Sequence, residues 1–271
     1  MAGKRKAASG QGTATKRKAA ALPTAAPPTS HDANWKSSTH SHGGGRTGSF
    51  SAHVDESVRP HTLILGTQPS NISIAQGMYF GNDANCFWPC VGEALGFRRG
   101  FQCSATREDN SCVPSIEGVL TPEYERVTEY SEAMLRLTRS GFALWDILES
   151  SERKGSLDSA IRKGKPADIE GFVRAYPTVW RIVFATGKGS AGIFKKHFLA
   201  WLQKGGFVSH ASALEVFGEH GNAPLAPPAA SADVRDKIEL IVPPSVSPAC
   251  ATISVAEKIQ SWKEIVFNVA T

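Results

Sequence analysis

The sequence predicts an α/β fold, a three-layer α/β/α sandwich around a central, mostly parallel sheet of four strands. Three observations carry this expectation. Short apolar runs alternate with helix-length patterns, several runs end in Gly, Pro or Ser turn sequences, and the series closes on a capped helix. Strands separated by helices pair in parallel, and a parallel sheet is covered on both faces.

The first strand is expected at residues 61–65, an apolar run that stops at the turn sequence Gly66-Thr67-Gln68-Pro69-Ser70. Residues 85–97 read as a helix with Asn85 as a plausible N-cap. Thr121-Pro122 reads as an N-cap followed by an N1 proline, for a helix running to about residue 139. Further strands are expected at 142–147, 180–186 and 240–242, with a helix at about 190–202. Residues 219–233, which include Pro224, Pro227 and Pro228, read as a surface loop. Ser254 and Glu257 form a capping box for the last helix, which runs toward residue 268. Ligands of parallel sheets bind outside the carboxyl ends of the strands, so chemistry is sought in the loops after Leu65, Thr186 and Val242.

Of the 271 residues, 41% are hydrophobic and 20% charged, and no apolar run approaches the length of a membrane span. The net charge of +5 is unevenly placed: residues 1–50 hold eight Lys or Arg against the single acid Asp32, a net of +7, leaving the rest at −2. The folded body must therefore bind any polyanion through a local patch and backbone donors, not through bulk charge. Residues 1–58 show no helical or strand period and are expected to be disordered. Within them, Lys4-Arg5-Lys6 and Lys16-Arg17-Lys18, nine residues apart, have the form of a bipartite nuclear import signal, which makes an import receptor a partner. Mitochondrial import is the second reading, weakened because no Leu or Phe precedes Leu22.

Five cysteines and no apolar stretch of a secretory signal point to a reducing compartment with free thiols. Cys86, Cys90, Cys103 and Cys112 have the spacing C-x3-C-x12-C-x8-C, which lacks the tight C-x2-C pairs of common structural zinc sites. No metal and no cofactor are expected, with Cys86 and Cys90 as apolar helix residues and Cys103 and Cys112 in a loop.

Several segments share an order and spacing with a known family. They are Leu63-Ile64-Leu65-Gly66-Thr67-Gln68-Pro69-Ser70, Gly77-Met78-Tyr79-Phe80-Gly81 and Asn85-Cys86-Phe87-Trp88, then residues 143–148, 153–161 and 244–249. Together they resemble the hypoxanthine (deoxyinosine) DNA glycosylases of the uracil-DNA glycosylase superfamily, over roughly residues 60–270, and more distantly the mismatch-specific uracil enzymes. The resemblance implies a monofunctional glycosylase that acts on DNA carrying a deaminated base, and a monomer is expected. It places Phe80 against the flipped base, with Tyr79 as the alternative, and gives Asn85 the essential amide that binds the attacking water or a base edge.

Gln68 stands where the mismatch-specific enzymes have a catalytic asparagine, and departs from the small or apolar residue common in the hypoxanthine enzymes; it is expected to share the catalytic work. Gly66, Thr67, Thr186 and Gly187 are expected at the base, and Pro69, Ser70, Lys188, Ser245, Val246 and Ser247 at DNA. The turn after the first strand offers no carboxylate, so catalysis is expected to rest on positioning and electrostatics. Asp146 and Asp158 read as structural. Two other functions remain open: excision of uracil from G·U mismatches, and non-catalytic DNA binding in the nucleus dominated by the basic tail.

Overall fold

The computed structural model describes residues 41–42, 46–99, 121, 123–155, 158–219 and 237–268. The tail before residue 41, Cys103 and Cys112, and most of the expected loop at 219–233 lie outside these.

Among the described residues, the central sheet has five parallel strands. In chain order they are β3 (Thr62–Gly66), β6 (Phe142–Asp146), β9 (Arg181–Phe184), β10 (Phe207–Ser209) and β11 (Ile238–Ile241), and in space they run β10-β11-β9-β3-β6. Every residue of β3, β6 and β9 is buried, as a sheet covered on both faces requires. The expected α/β/α architecture holds, and the strand count is corrected from four to five. The added edge strand β10 has only three residues, too short for a periodic signal.

A second, antiparallel sheet was not expected. Its order is β1 (Ser41–His42), β2 (Arg46–Gly48), β7 (Leu148–Arg153) and β8 (Ile161–Pro166). It corrects the expected extent of disorder, since residues 46–58 are part of the folded body. Ser49 N donates to Glu149 O at 2.8 Å, Phe50 is buried with its carbonyl accepting from Trp145 Nε1 at 3.1 Å, and His53 exchanges backbone hydrogen bonds with Leu144. Only one residue, Ile147, separates β6 from β7, so the chain passes from the parallel sheet straight into the antiparallel one.

The helices are α1 (Asn71–Gln76), α2 (Phe87–Leu95), α3 (Tyr130–Arg139), α4 (Ile169–Ala175), α5 (Lys188–His197), α6 (Leu199–Gln203), α7 (Leu214–Phe217) and α8 (Val255–Trp262). Two two-residue strands, β4 (Phe97–Arg98) and β5 (Glu125–Arg126), pair between α2 and α3. The N-cap expected at Thr121 is therefore wrong by eight residues, since α3 has its N-cap at Glu129. Thr121 instead gives its N–H and hydroxyl to the buried Glu93 carboxylate, with Oγ1 to Oε2 at 2.9 Å. Strand β5 occupies the stretch that the sequence assigned to the first turns. The expected helix at 190–202 is two helices, divided at Phe198. The capping box on α8 is present as expected: Glu257 N donates to Ser254 Oγ at 3.2 Å and Ser254 N to Glu257 Oε2 at 2.9 Å. No helix among the described residues is long and apolar enough to cross a membrane.

Candidate active site

A cleft of about 820 Å³ opens at the carboxyl ends of β3, β6, β9 and β11, the edge where a parallel sheet leaves its loops free for ligands. Its walls come from the loop after β3, the end of β6, the turn after β9, the loop after β11, and the segment joining α1 to α2.

Phe80 is a half-buried ring of this cleft, stacked on the fully buried Phe87 with centroids 4.1 Å apart and planes at 21°. Its backbone is held at φ +52°, a strained conformation for an aromatic residue that persists only when the surroundings enforce it. They do so through three bonds: Trp88 Nε1 donates to Tyr79 O at 3.0 Å, Tyr79 N to Tyr130 Oη at 3.0 Å, and Gly81 N to Ser73 Oγ at 3.1 Å. Tyr79 itself is a core residue, 2% exposed, its hydroxyl directed at the Phe50 and Ser51 carbonyls. Tyr79 also lines the cleft, beside Phe80. Asn85 lines the cleft, and its Oδ1 accepts the Phe87 N–H at 2.9 Å, an Asx turn that leads into α2 and orients the side chain; the N-cap itself is Cys86, one residue later than expected. The side-chain NH2 has no protein partner among the described residues.

Within the loop after β3, Thr67 Oγ1 donates to Asp158 Oδ2 at 2.6 Å and lies 2.9 Å from Thr186 Oγ1, which ties three loops together. Gln68 Nε2 donates to Thr47 O at 2.6 Å and its Oε1 accepts from Ser151 Oγ, so both ends of the amide are engaged in the antiparallel sheet, and the residue is 8% exposed. Pro69 O accepts from Arg153 Nη2, and Ser70 caps α1 by accepting from Ser73 N at 3.1 Å. Ser70 and Pro69 face the cleft mouth, but the Ser70 hydroxyl is occupied as a cap.

In the turn after β9, Gly187 has φ +68°, and a Cβ there would come within 3.2 Å of Ser245 Cβ; the two loops meet because this position has no side chain. Lys188 opens α5 and lines the cleft, with its ammonium group paired to the exposed Glu215 carboxylate. After β11, Ser245 Oγ and Ser247 Oγ each accept a backbone N–H two residues on, forming tight turns at the rim. Val246 between them is fully buried, with its N–H on Ala185 O and its carbonyl accepting from Cys86 N, so its side chain packs in the core. Sequence reasoning missed Lys258, a buried amine on α8 that donates to Ser247 O at 3.3 Å and Cys250 O at 2.7 Å and so holds this loop. It also missed Trp262, whose Nε1 donates to Pro244 O at 2.8 Å. Both sit on the inner face of an amphipathic helix, where a lysine is an anomaly that could have been noticed.

Two carboxyl groups expected to be structural line the same cleft. Asp146, the last residue of β6, is 2% exposed; Ser49 Oγ donates to its Oδ2 at 2.6 Å, and burial pushes its pKa up to about 7. Its Oδ1 sits over Gly66, where any Cβ would lie 2.3 Å away. Burial also raises the pKa of Asp158, against the Thr67 hydrogen bond and the Arg153 charge, which both favour ionisation. Arg153 lies in the field of both carboxylates; its Nε and Nη1 are buried with no hydrogen-bond partner among the described residues. The hydrogen bonds expected of Asp146 and Asp158 are present, but their position makes them cleft groups. The one signal in the sequence was that Asp146 ends a buried strand at the edge where ligands bind.

Cys86 and Cys90 are buried at the start of α2, as expected of small apolar residues, and Cys86 Sγ donates to Val246 O at 3.3 Å. Among the described residues, no three His, Cys, Asp or Glu side chains are grouped so as to hold a metal ion.

The parallel sheet, the flanking helices and the cleft at the carboxyl edge define an α/β fold with a ligand site at the strand ends. A solution NMR structure from Methanosarcina acetivorans, provisionally assigned as a uracil DNA glycosylase, shares this fold: the TM-score is 0.50 at 23% identity, over 82% of this chain and 96% of that one. No family model matches the chain. In sequence, the chain is a distant homologue of the hypoxanthine DNA glycosylases. It is 29% identical to that of M. acetivorans over 135 residues, covering 50% of this chain and 68% of the relative. To that of Methanosarcina barkeri it is 26% identical over 113 residues, covering 42% of this chain and 54% of the relative.

Proposed function

We propose that this chain is a monofunctional DNA glycosylase that flips a deaminated base, hypoxanthine foremost, into the cleft and hydrolyses its N-glycosidic bond. The observation that carries the reading is Phe80. A ring held at positive φ, backed by a stacked Phe87 and left open toward the cleft beside the Asn85 amide, is a platform for one planar base. Such stacking is worth about 1–3 kcal/mol per base. Homology to the hypoxanthine enzymes supports the same reading.

In the reaction, the bond from the sugar C1′ to the base nitrogen breaks with its electron pair going to the base. Water adds its oxygen to C1′, and its proton ends on the departing base or on solvent. The products are the free base and an abasic site. Asn85 is suited to hold the water or the developing charge because its Oδ1 is held by the Phe87 N–H, which leaves the NH2 preorganised. Lys188, the lysine among the described lining residues, is paired with Glu215. A Schiff base, and with it strand cleavage, is not part of the proposal.

The test incubates purified protein with duplexes carrying hypoxanthine, uracil or xanthine and cleaves abasic sites with alkali. Alkali-dependent strand scission, greatest for hypoxanthine, is expected. DNA binding with no abasic product from any base would overturn the reading.

A further inference from the structure

We propose that Asp146 is the residue by which the cleft tells a deaminated base from its amino parent, its Oδ1 accepting the ring N–H that deamination creates. The proposal deepens, and rests on, the glycosylase reading above.

Deamination changes one ring position in the same way in both parent bases. Adenine N1 and cytosine N3 are acceptors beside an amino group, whereas hypoxanthine N1 and uracil N3 carry a hydrogen beside a carbonyl. An ionised carboxylate is acceptor-only, so it pairs with the second kind and opposes the first. A site built to hydrogen-bond such an N–H rejects an analogue lacking it by about 10⁴-fold.

Asp146 is placed for that task by three features. It ends β6 at the ligand edge of the sheet and lines the cleft while 2% exposed. Its Oδ2 is taken by Ser49, and Oδ1 lies over Gly66, 3.6 Å beyond which, from a Cβ position, the Phe80 ring edge begins. A base stacked on Phe80 would thus bring an edge toward Oδ1. Gly66 is required by this arrangement, since any side chain would displace the carboxyl group.

The groups facing Asp146 are Ser49 from the segment after β2, the Tyr79 hydroxyl, Tyr130 of α3, Arg153 at the end of β7, and Asp158. Burial and the Asp158 charge raise its pKa; Ser49, Arg153 and Tyr79 act the other way, with the balance at about 7. Above that pH, Oδ1 accepts only. Below it, the protonated carboxyl can donate to a ring nitrogen, and discrimination against adenine falls.

The test measures binding and excision together, across neutral pH. Binding uses duplexes in which a 2′-fluorinated deoxyinosine or deoxyadenosine resists cleavage, read by fluorescence anisotropy; excision uses ordinary hypoxanthine and adenine duplexes. Wild-type protein is expected to prefer the inosine duplex at least about 10-fold above neutral pH and progressively less below it. Asp146→Asn, checked for folding by thermal melt, should show a reduced, pH-independent preference. Ser49→Ala, which removes a donor to Oδ2, should move the midpoint to higher pH. Equal binding of both duplexes by wild type, or wild-type preference and pH profile in Asp146→Asn, would overturn the proposal even if excision is intact. A pH-dependent preference in a protein that makes no abasic site would leave it standing and remove the glycosylase reading.

Discussion

At the scale of single residues, the two amides that the sequence set side by side have separated. Asn85 has its oxygen in the turn that leads into α2 and, among the described residues, no partner for its NH2 at the cleft, whereas Gln68 has both ends of its amide in the antiparallel sheet. Asn85→Ala is therefore expected to lower single-turnover excision on the order of 100-fold or more with little change in DNA affinity, the behaviour of a group that acts in the transition state. Gln68→Ala should instead lower the melting temperature, because it strands the Thr47 carbonyl and the Ser151 hydroxyl, at about 1–3 kcal/mol for a buried unsatisfied group. Comparing rates and melts of both variants checks this; a stable Gln68→Ala protein with abolished excision would reverse the roles. Phe80, Asn85, Thr67 and Thr186 were legible because their motifs come in one order at one edge of the sheet. Asp146, Asp158 and Arg153 were not, because a carboxylate inside an apolar pattern looks structural until the fold shows which end of the strand it occupies. The hydrogen bonds of Gln68 were illegible for a related reason: its partners Thr47 and Ser151 are supplied by a sheet with no periodic signal.

At the scale of elements, the parallel strands were legible because burial on both faces writes continuous apolar runs such as Leu63-Ile64-Leu65 and Phe142-Ala143-Leu144. The antiparallel sheet was illegible because β7 reads Leu-Glu-Ser-Ser-Glu-Arg and β8 Ile-Arg-Lys-Gly-Lys-Pro, sequences whose strand character comes from pairing and not from propensity. Strand β2 carries the consequence for truncation. Removing residues 1–40 is expected to leave melting temperature and single-turnover excision within a few-fold while reducing the salt dependence of DNA binding and, on our proposal of nuclear import, nuclear accumulation. Removing residues 1–55 should cost several kcal/mol, since it takes away the buried Phe50, the Ser49 donor to Asp146 and the Thr47 acceptor of Gln68. Paired melts and fractionation of the two truncations decide the point; equal stability of both would show that residues 46–55 are dispensable to the body.

At the scale of the whole molecule, the cleft is bought with stability. Asp146 has an ordinary value of 3.8 and a folded value of about 7, so the native state binds the proton more tightly than the unfolded chain does. Its contribution is most favourable below about pH 4 and is lost as pH rises to about 7, on the order of 4 kcal/mol at 1.36 kcal/mol per unit. Asp158, also raised, acts in the same direction. Asp146→Asn should accordingly raise the melting temperature at about pH 8 and change it little at about pH 4, a difference read by melts at the two values. An equal effect at both would mean that the carboxyl group is solvated. The long reach of the cleft's contacts has a consequence for synthesis as well. Ser49 meets Asp146 across 97 positions, Thr67 meets Thr186 across 119, and Cys86 meets the Val246 carbonyl across 160. A chain leaving the ribosome thus carries Phe80 and Asn85 early but has no wall opposite them until Val246 and then Trp262 have emerged. Until that point the partly made protein lacks the Trp262 ring that packs on Phe87, so the interval between translating residue 80 and residue 262 is expected to leave this aromatic ledge exposed to association.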